Sequence, residues 1–250
     1  MTLRMQHLLV LAAMNEEETA LVAELGSDFT SESVSRSLGM TLKQWKTGQG
    51  TVCVARSGMG NVNSALTLAM IADRRPVDAV LLLGVGGALI PSLDVGDLVV
   101  SSRVLQHDYF ASLDFGHPRM RAGEIVYSPE QAAAHVATME ADEQLVRRVL
   151  NAVPGSRRGT VLSGSEFVGT VERKRAIAAL HEEALLVEME AAGVAQVSGR
   201  LGLPFAVAKT VADRLQPDGT IESDFRATLE AACKNAALAL RAVVQGMGST

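Results

Sequence analysis

Four carboxylates stand in or beside runs that are otherwise apolar or small. Two of them, Glu188 and Glu190, lie inside "LLVEMEAAGVAQV" at residues 185–197. Unpaired charge in apolar surroundings is expensive, so such a pair must hold something. Two positions apart on extended backbone, they share a face, where a strand pattern gives way to a helix pattern. One reading is a buried pair satisfied by local hydrogen bonds. The other is recognition of a vicinal diol, of which ribose is the commonest: a carboxylate accepts two hydroxyl hydrogens and discriminates against a substrate that lacks them. Asp213 ends another apolar strand, "PFAVAKTVAD" at 204–213. There it would cap a following helix, or share a proton with N7 of a purine and stabilise the departing base. Glu17 follows the first apolar strand in a run of three glutamates, Glu16 to Glu18. Two of these can be solvated, and one facing a pocket would be a base for water. Acid at one end and base at the other is an arrangement that cleaves a glycosyl bond.

The elements that must position these groups are legible as alternating apolar runs and amphipathic stretches. "HLLVLAAM" (7–14), "TVCVARSG" (51–58), "VDAVLLLGVGG" (77–87) and "VGDLVVSSRVLQ" (95–106) read as strands. So do the start of "RRGTVLSGSEFVGT" (157–170), "ALLVEME" (184–190) and "PFAVAKTVAD". Helices fall over 15–25, 61–75, most of 128–153, 171–183, 191–202 and 222–247, and "HDYFASLDFGHPRM" (107–120) reads as loop. The pattern predicts a single α/β domain over 1–250, with its core at about 7–240: a three-layer sandwich with a central mixed sheet flanked by helices. The turn "GVGGAL" (84–89) is neither a dinucleotide fingerprint nor a phosphate loop with Lys-Ser/Thr. It is a tight turn, or a place where missing side chains let a small ligand lie against backbone at a strand's carboxyl end.

Bulk properties narrow the function classes. With 23 Lys and Arg against 28 Asp and Glu the formal charge is 23 − 28 = −5, and the basic runs at 147–148, 157–158 and 173–175 are short. These runs read as solvated surface, and nothing supports a nucleic-acid or membrane-surface role. Cys53 and Cys233 form no disulfide framework, and "HLLVLAAM" is too short to span a membrane, so a cytoplasmic protein is expected. His107, beside Asp108, lacks the His and Cys companions of a zinc site and reads as structural; no metal or cofactor is expected.

From about residue 7 to 240 the chain resembles the purine nucleoside phosphorylase/uridine phosphorylase superfamily, and within it the bacterial 5'-methylthioadenosine/S-adenosylhomocysteine nucleosidases. The resemblance rests on "AMNEEE", "SGMGNVNSA", "GVGGAL" followed by "VGDLVVS", "QHD", "LSGSEFV", "VEMEAAGVAQV" and "PFAVAKTVAD", in the family's order. It implies a nucleoside phosphorylase-like fold and an enzyme releasing adenine from such nucleosides. Glu17 would activate water and Asp213 would protonate N7. The Val168 backbone would read the adenine edge, with Phe167 stacked on the ring. Met189 and Glu190 would hold the ribose, with Glu188 in support, while Met14 and Met59 would line the ribose and alkylthio end. The Gly-rich segment with Val85 and Gly86, and Lys209, would complete the substrate site. The family forms homodimers, and "DYFASLDFG" around Phe115 matches the segment that closes the partner's pocket.

The family usually has Ser at the places of Val85 and Ala212, Arg at that of Lys209, and an aromatic near "TIESDF" (220–225), where Phe225 is the nearest. Superfamily phosphorylases carry arginines for phosphate, one just before the Gly-rich turn and one near the first strand. Here Leu82 stands at the first place and "AAMNEEET" at the second, which favours water over phosphate. A nucleosidase for an aminodeoxyfutalosine-like 6-amino purine riboside is the next reading. A non-catalytic nucleoside binder is the third, against which Glu17, Glu190 and Asp213 stand together.

Overall fold

Along β1 (His7–Ala12) successive side chains enter two different cores, Leu8, Val10 and Ala12 on one face and Leu9 and Leu11 on the other. A strand covered on both faces needs no polar side, and this is why the sequence there runs apolar without alternation. In β5 (Ala79–Ala88), Leu81 and Leu83 face the first core and Val80 and Leu82 the second. β10 (Phe205–Leu215) divides in the same way. Helices α1 (Asn15–Leu25), α4 (Glu143–Ala152) and α7 (Phe225–Gln245) cover the first face. Helices α2 (Asn61–Ala72) and α6 (Ala191–Leu201) cover the second. The result is a mixed α/β single-domain fold with a central sheet between helical layers. The computed structural model describes residues 5–215, 220–222, 225–245 and 247.

The sheet also closes on itself. β5 runs parallel to β1 through Leu82 and parallel to β10 through Gly87. Its last residues, Gly87 and Ala88, pair antiparallel with β9 (Ala184–Glu188). β9 then pairs with β8 (Arg157–Ser163), β8 with β6 (Leu98–Gln106), and β6 returns antiparallel to β10. Beyond β1 the sheet continues through β4 (Gly50–Arg56), β3 (Met40–Thr47) and β2 (Thr30–Ser35). The short strands β7 (Met139–Glu140) and β11 (Ile221–Glu222) pair with β6 and β10. Helices α3 (Pro129–Ala134) and α5 (Val171–Ala178) complete the order.

Several expectations are corrected. The stretch read as mainly helical over 128–153 is two helices with β7 between them. α3 stops at His135, whose backbone is extended, and Asp142 opens α4 by accepting from the N–H groups of Gln144 (3.0 Å) and Leu145 (2.9 Å). The hairpin β2–β3 was not read, because β2 ("TSESVS") is an edge strand whose side chains are mostly exposed. "GVGG" is no turn: β5 runs straight through it to Ala88. β9 ends at Glu188, so Glu190 is not on extended backbone but at the N-cap of α6 (φ −122°, ψ −30°).

Candidate active site

The carboxyl ends of β1, β5, β9 and β10 meet at one cleft. The helix that follows β1 brings Glu17 into it from the first turn. Its carboxylate accepts from the N–H groups of Ala13 (2.7 Å) and Met14 (2.8 Å) with one oxygen and from Val85 (2.9 Å) with the other. Three N–H donors hold it in acceptor geometry, and the helix dipole favours charge there. Burial pushes its pKa above the ordinary carboxylate value, with the Lys209 ammonium and the backbone donors opposing. Its neighbours play other parts: Glu16 is exposed, and Glu18 pairs with Lys43. Gly84 explains the close fit. A Cβ there would stand 2.2 Å from Glu17 Oε1.

Glu188 and Glu190 do meet, but on a lysine rather than through strand geometry. Lys209 is fully buried, its Nζ 3.0 Å from Glu190 Oε2 and 3.3 Å from Glu188 Oε2. Glu188 also accepts from the N–H groups of Glu190 and Ala191, both at 2.9 Å, and so ties β9 to α6. The local-hydrogen-bond reading therefore describes Glu188. Burial pushes its pKa up. Burial acts on Glu190 in the same sense, but Lys209 and the Gly60 N–H (2.9 Å) outweigh it and hold Glu190 below the usual range. Behind α6, Ser163 Oγ donates to Asn61 Oδ1 (3.0 Å) and accepts from Ala192 N, fixing the helix against α2. Lys209 itself does not line the cleft; it reaches a ligand only through the carboxylates, a correction to its reading as a substrate contact.

Asp213 lies inside β10, opposite Gly87, and Arg214 and Leu215 continue the strand after it, so the capping alternative falls. The register slips between Val211 and Asp213, leaving Ala212 as the extra residue of a bulge. Such a bulge re-aims the next side chain, and Asp213 lines the cleft. Its surroundings are not the apolar ones that the strand pattern implies. Lys174 of α5, fully buried, places Nζ 2.5 Å from Asp213 Oδ1. Gly87 makes room for both, since a Cβ there would lie 2.6 Å from Asp213 Oδ1 and 3.1 Å from Lys174 Nζ.

The remaining expected residues share the same wall. Met14, Val85, Gly86, Val168 and Met189 line the cleft, with Met59 (59% exposed) and Phe167 (70% exposed) at its rim. Val85 and Ala212 pack together with Leu229, Ala232 and Cys233 of α7 as one apolar cluster. Ser223, Asp224 and the Phe225 side chain of "TIESDF" lie outside the described residues. His107 is buried, with neither ring nitrogen hydrogen-bonded, and burial lowers its pKa. Sequence reasoning missed Lys174, taken with its basic neighbours as solvated surface. The spacing of Val171, Lys174 and Ile177 on one helix face was the signal. Among the described residues no group of His, Cys, Asp or Glu is placed to hold a metal ion, and no helix is long and apolar enough to cross a membrane.

Mixed α/β sheet and carboxylate-lined cleft together define an enzyme-like site for a small polar ligand at strand carboxyl ends. The chain belongs to the phosphorylase superfamily, whose profile matches residues 7–245. It is 31% identical over 193 residues to a 5'-methylthioadenosine/S-adenosylhomocysteine nucleosidase of Staphylococcus aureus, covering 77% of this chain and 81% of that one. Its fold matches a Helicobacter pylori nucleosidase of the same name, a mutant with 5'-methylthioadenosine in the active site, at TM-score 0.82 and 28% identity over 96% and 98% of the two chains. A Helicobacter pylori futalosine hydrolase matches at TM-score 0.80 and 29% identity, over 96% and 98%.

Proposed function

We propose that this chain hydrolyses the N-glycosidic bond of 5'-methylthioadenosine and S-adenosylhomocysteine-type nucleosides, releasing adenine and the thioribose. The observation that carries this reading is one cleft that gathers Glu17, Glu190 and Asp213 while none of its described lining side chains is basic. Glu17 takes a proton from water, Glu190 accepts the ribose hydroxyls with Met189 beside it, and Asp213 is the acid at N7. Val168 offers its backbone to the base and Phe167 its ring, and Met14 and Met59 suit a soft alkylthio group. The names of the relatives support the substrate class. Two copies of the chain form the working unit, with the exposed Phe110 and Phe115 of the 108–116 loop at the partner's cleft.

A second reading, a nucleosidase for an aminodeoxyfutalosine-like riboside, is favoured by the matching futalosine hydrolase and by the open rim at Met59 and Phe167. Adenine release is measured on both substrates with and without phosphate. Equal rates with and without phosphate, and a free reducing sugar as product, are expected. Release that requires phosphate and yields a sugar 1-phosphate refutes hydrolysis, and the kcat/KM ratio between the two substrates decides between the readings.

A further inference from the structure

Lys174 has no part in the roles assigned so far, yet it is among the largest fully buried side chains of the protein. It reaches Asp213 from α5, behind the wall of the cleft, and a long charged side chain is rarely held in such a place without a task. Its Nζ lies 2.5 Å from Asp213 Oδ1, within reach of a direct proton transfer. A proton that Asp213 gives away can be replaced from the ammonium beside it.

We propose that Lys174 is the proton reservoir of the leaving-group acid: a positioning residue that acts through Asp213. This rests on the reading of Asp213 as the acid at N7. As the bond from C1' to N9 breaks, its electron pair moves into the purine and N7 becomes basic. Asp213 delivers a proton to N7, and an N–H proton of Lys174 passes to Asp213 Oδ1. Adenine leaves neutral, Asp213 ends as carboxylate and Lys174 as amine. The water that attacks C1' gives its proton to Glu17, and solvent exchange returns one proton to the lysine.

The other charged groups of the cleft have their own partners. Glu17 has its N–H donors, and Glu188 of β9 and Glu190 share Lys209. At the head of α5, Arg173 pairs with Glu166, and beside Asp213 in the chain Arg214 pairs with Asp94.

The test compares pH profiles of kcat/KM on methylthioadenosine and on a p-nitrophenyl riboside, whose leaving group needs no proton, for wild type, K174M, K174R and D213N. In K174M the alkaline limb is expected to fall by at least ~2 pH units, since the ordinary carboxyl and amine values lie some six units apart. At pH values above the wild-type limb that is a loss of about 100-fold on the nucleoside, recovered as pH falls below the shifted limb, with little change on the activated substrate. K174R keeps the ion pair but does not release its proton, so it is expected to lose activity as well. If K174M does not fold, K174R alone decides. Wild-type rates and limb in K174R, or an unshifted limb in K174M, overturn the reservoir. Equal losses of D213N on both substrates instead overturn the acid role of Asp213 itself.

Discussion

Replacing Lys209 by Met tests the electrostatic frame of the site most directly. The ammonium is fully buried between two carboxylates whose side chains are 1% and 6% exposed. Removing it leaves two like charges in a dry place with hydrogen-bond donors but no cation beside them. Breaking a buried ion pair on one side costs about 3–5 kcal/mol. For a chain of this size each kcal/mol moves Tm by about 2–4 °C, so K209M should melt about 6–20 °C below wild type at pH 7.5. The pH dependence follows from the directions of the shifts. In the wild type Glu190 is held below its ordinary pKa, so its stabilising contribution is present above that value and lost as pH falls through the folded one. Lys209 is held above its ordinary 10.5, so its contribution is present below that value and lost as pH rises through the folded one. In K209M both carboxyls lie above their unfolded values, and such a group costs stability above its unfolded pKa. The deficit should therefore shrink as the pH is lowered toward 4.5 and the carboxyls take up protons. E188Q/E190Q/K209M, with no buried charge left in the cluster, should recover much of the lost Tm while staying inactive. Calorimetry at pH 7.5 and 5 decides. A K209M protein that melts with wild type at pH 7.5, or with the same deficit at both pH values, would refute the reasoning.

E190Q keeps an acceptor for the Gly60 N–H but lacks the charge that takes the ribose hydroxyls. It should lower kcat/KM by about 100-fold or more, and it should also lower Tm, since Lys209 keeps only Glu188 as partner; wild-type turnover would sink the assignment. Burial raises Glu17, and a base must be ionised to work, so the acid limb of kcat/KM should lie above the ordinary value of 4.5 and vanish in E17Q; a limb that survives in E17Q belongs to another group. G84A drives a Cβ into Glu17 Oε1, and an ångström of displacement costs about 100-fold in rate. If G84A turns over as wild type, the exact placing of Glu17 does not matter.

What the sequence shows and what it hides divide along physical lines. Strands covered on both faces, such as β1, β5 and β10, are legible because dual burial writes an unbroken apolar run. β2 is hidden because an exposed edge strand is mostly polar, and a polar stretch reads as loop. The closing of the sheet is hidden as well: the pairing of β10 with both β5 and β6 joins segments about a hundred residues apart, and no local pattern encodes it. At the site, the carboxylates stand out because charge is rare in such runs. Lys174 does not, since Arg173 and Arg175 flank it and only its place on the helix face sets it apart. The glycines of "GVGG" are legible as a close approach, but what approaches is the protein's own carboxylates: Glu17 at Gly84 and Asp213 at Gly87.

The distribution of partners among the carboxylates bears on the choice between water and phosphate. Each carboxylate is balanced separately: Glu17 by backbone N–H groups, Glu188 and Glu190 by Lys209, Asp213 by Lys174, and Glu166 by Arg173. A dianion entering this cleft would meet Glu17 with no cation on the described lining to receive it, and drawing Lys209 or Lys174 toward it would strand a buried carboxylate. A neutral water meets no such conflict and finds an oriented acceptor already in place. The two proposed roles are set apart by their partners: Glu17 has only backbone N–H donors, and Asp213 has the Lys174 ammonium. Val85 and Ala212, beside the two groups in the chain, pack on α7 as apolar wall and bring no hydroxyl or cation of their own.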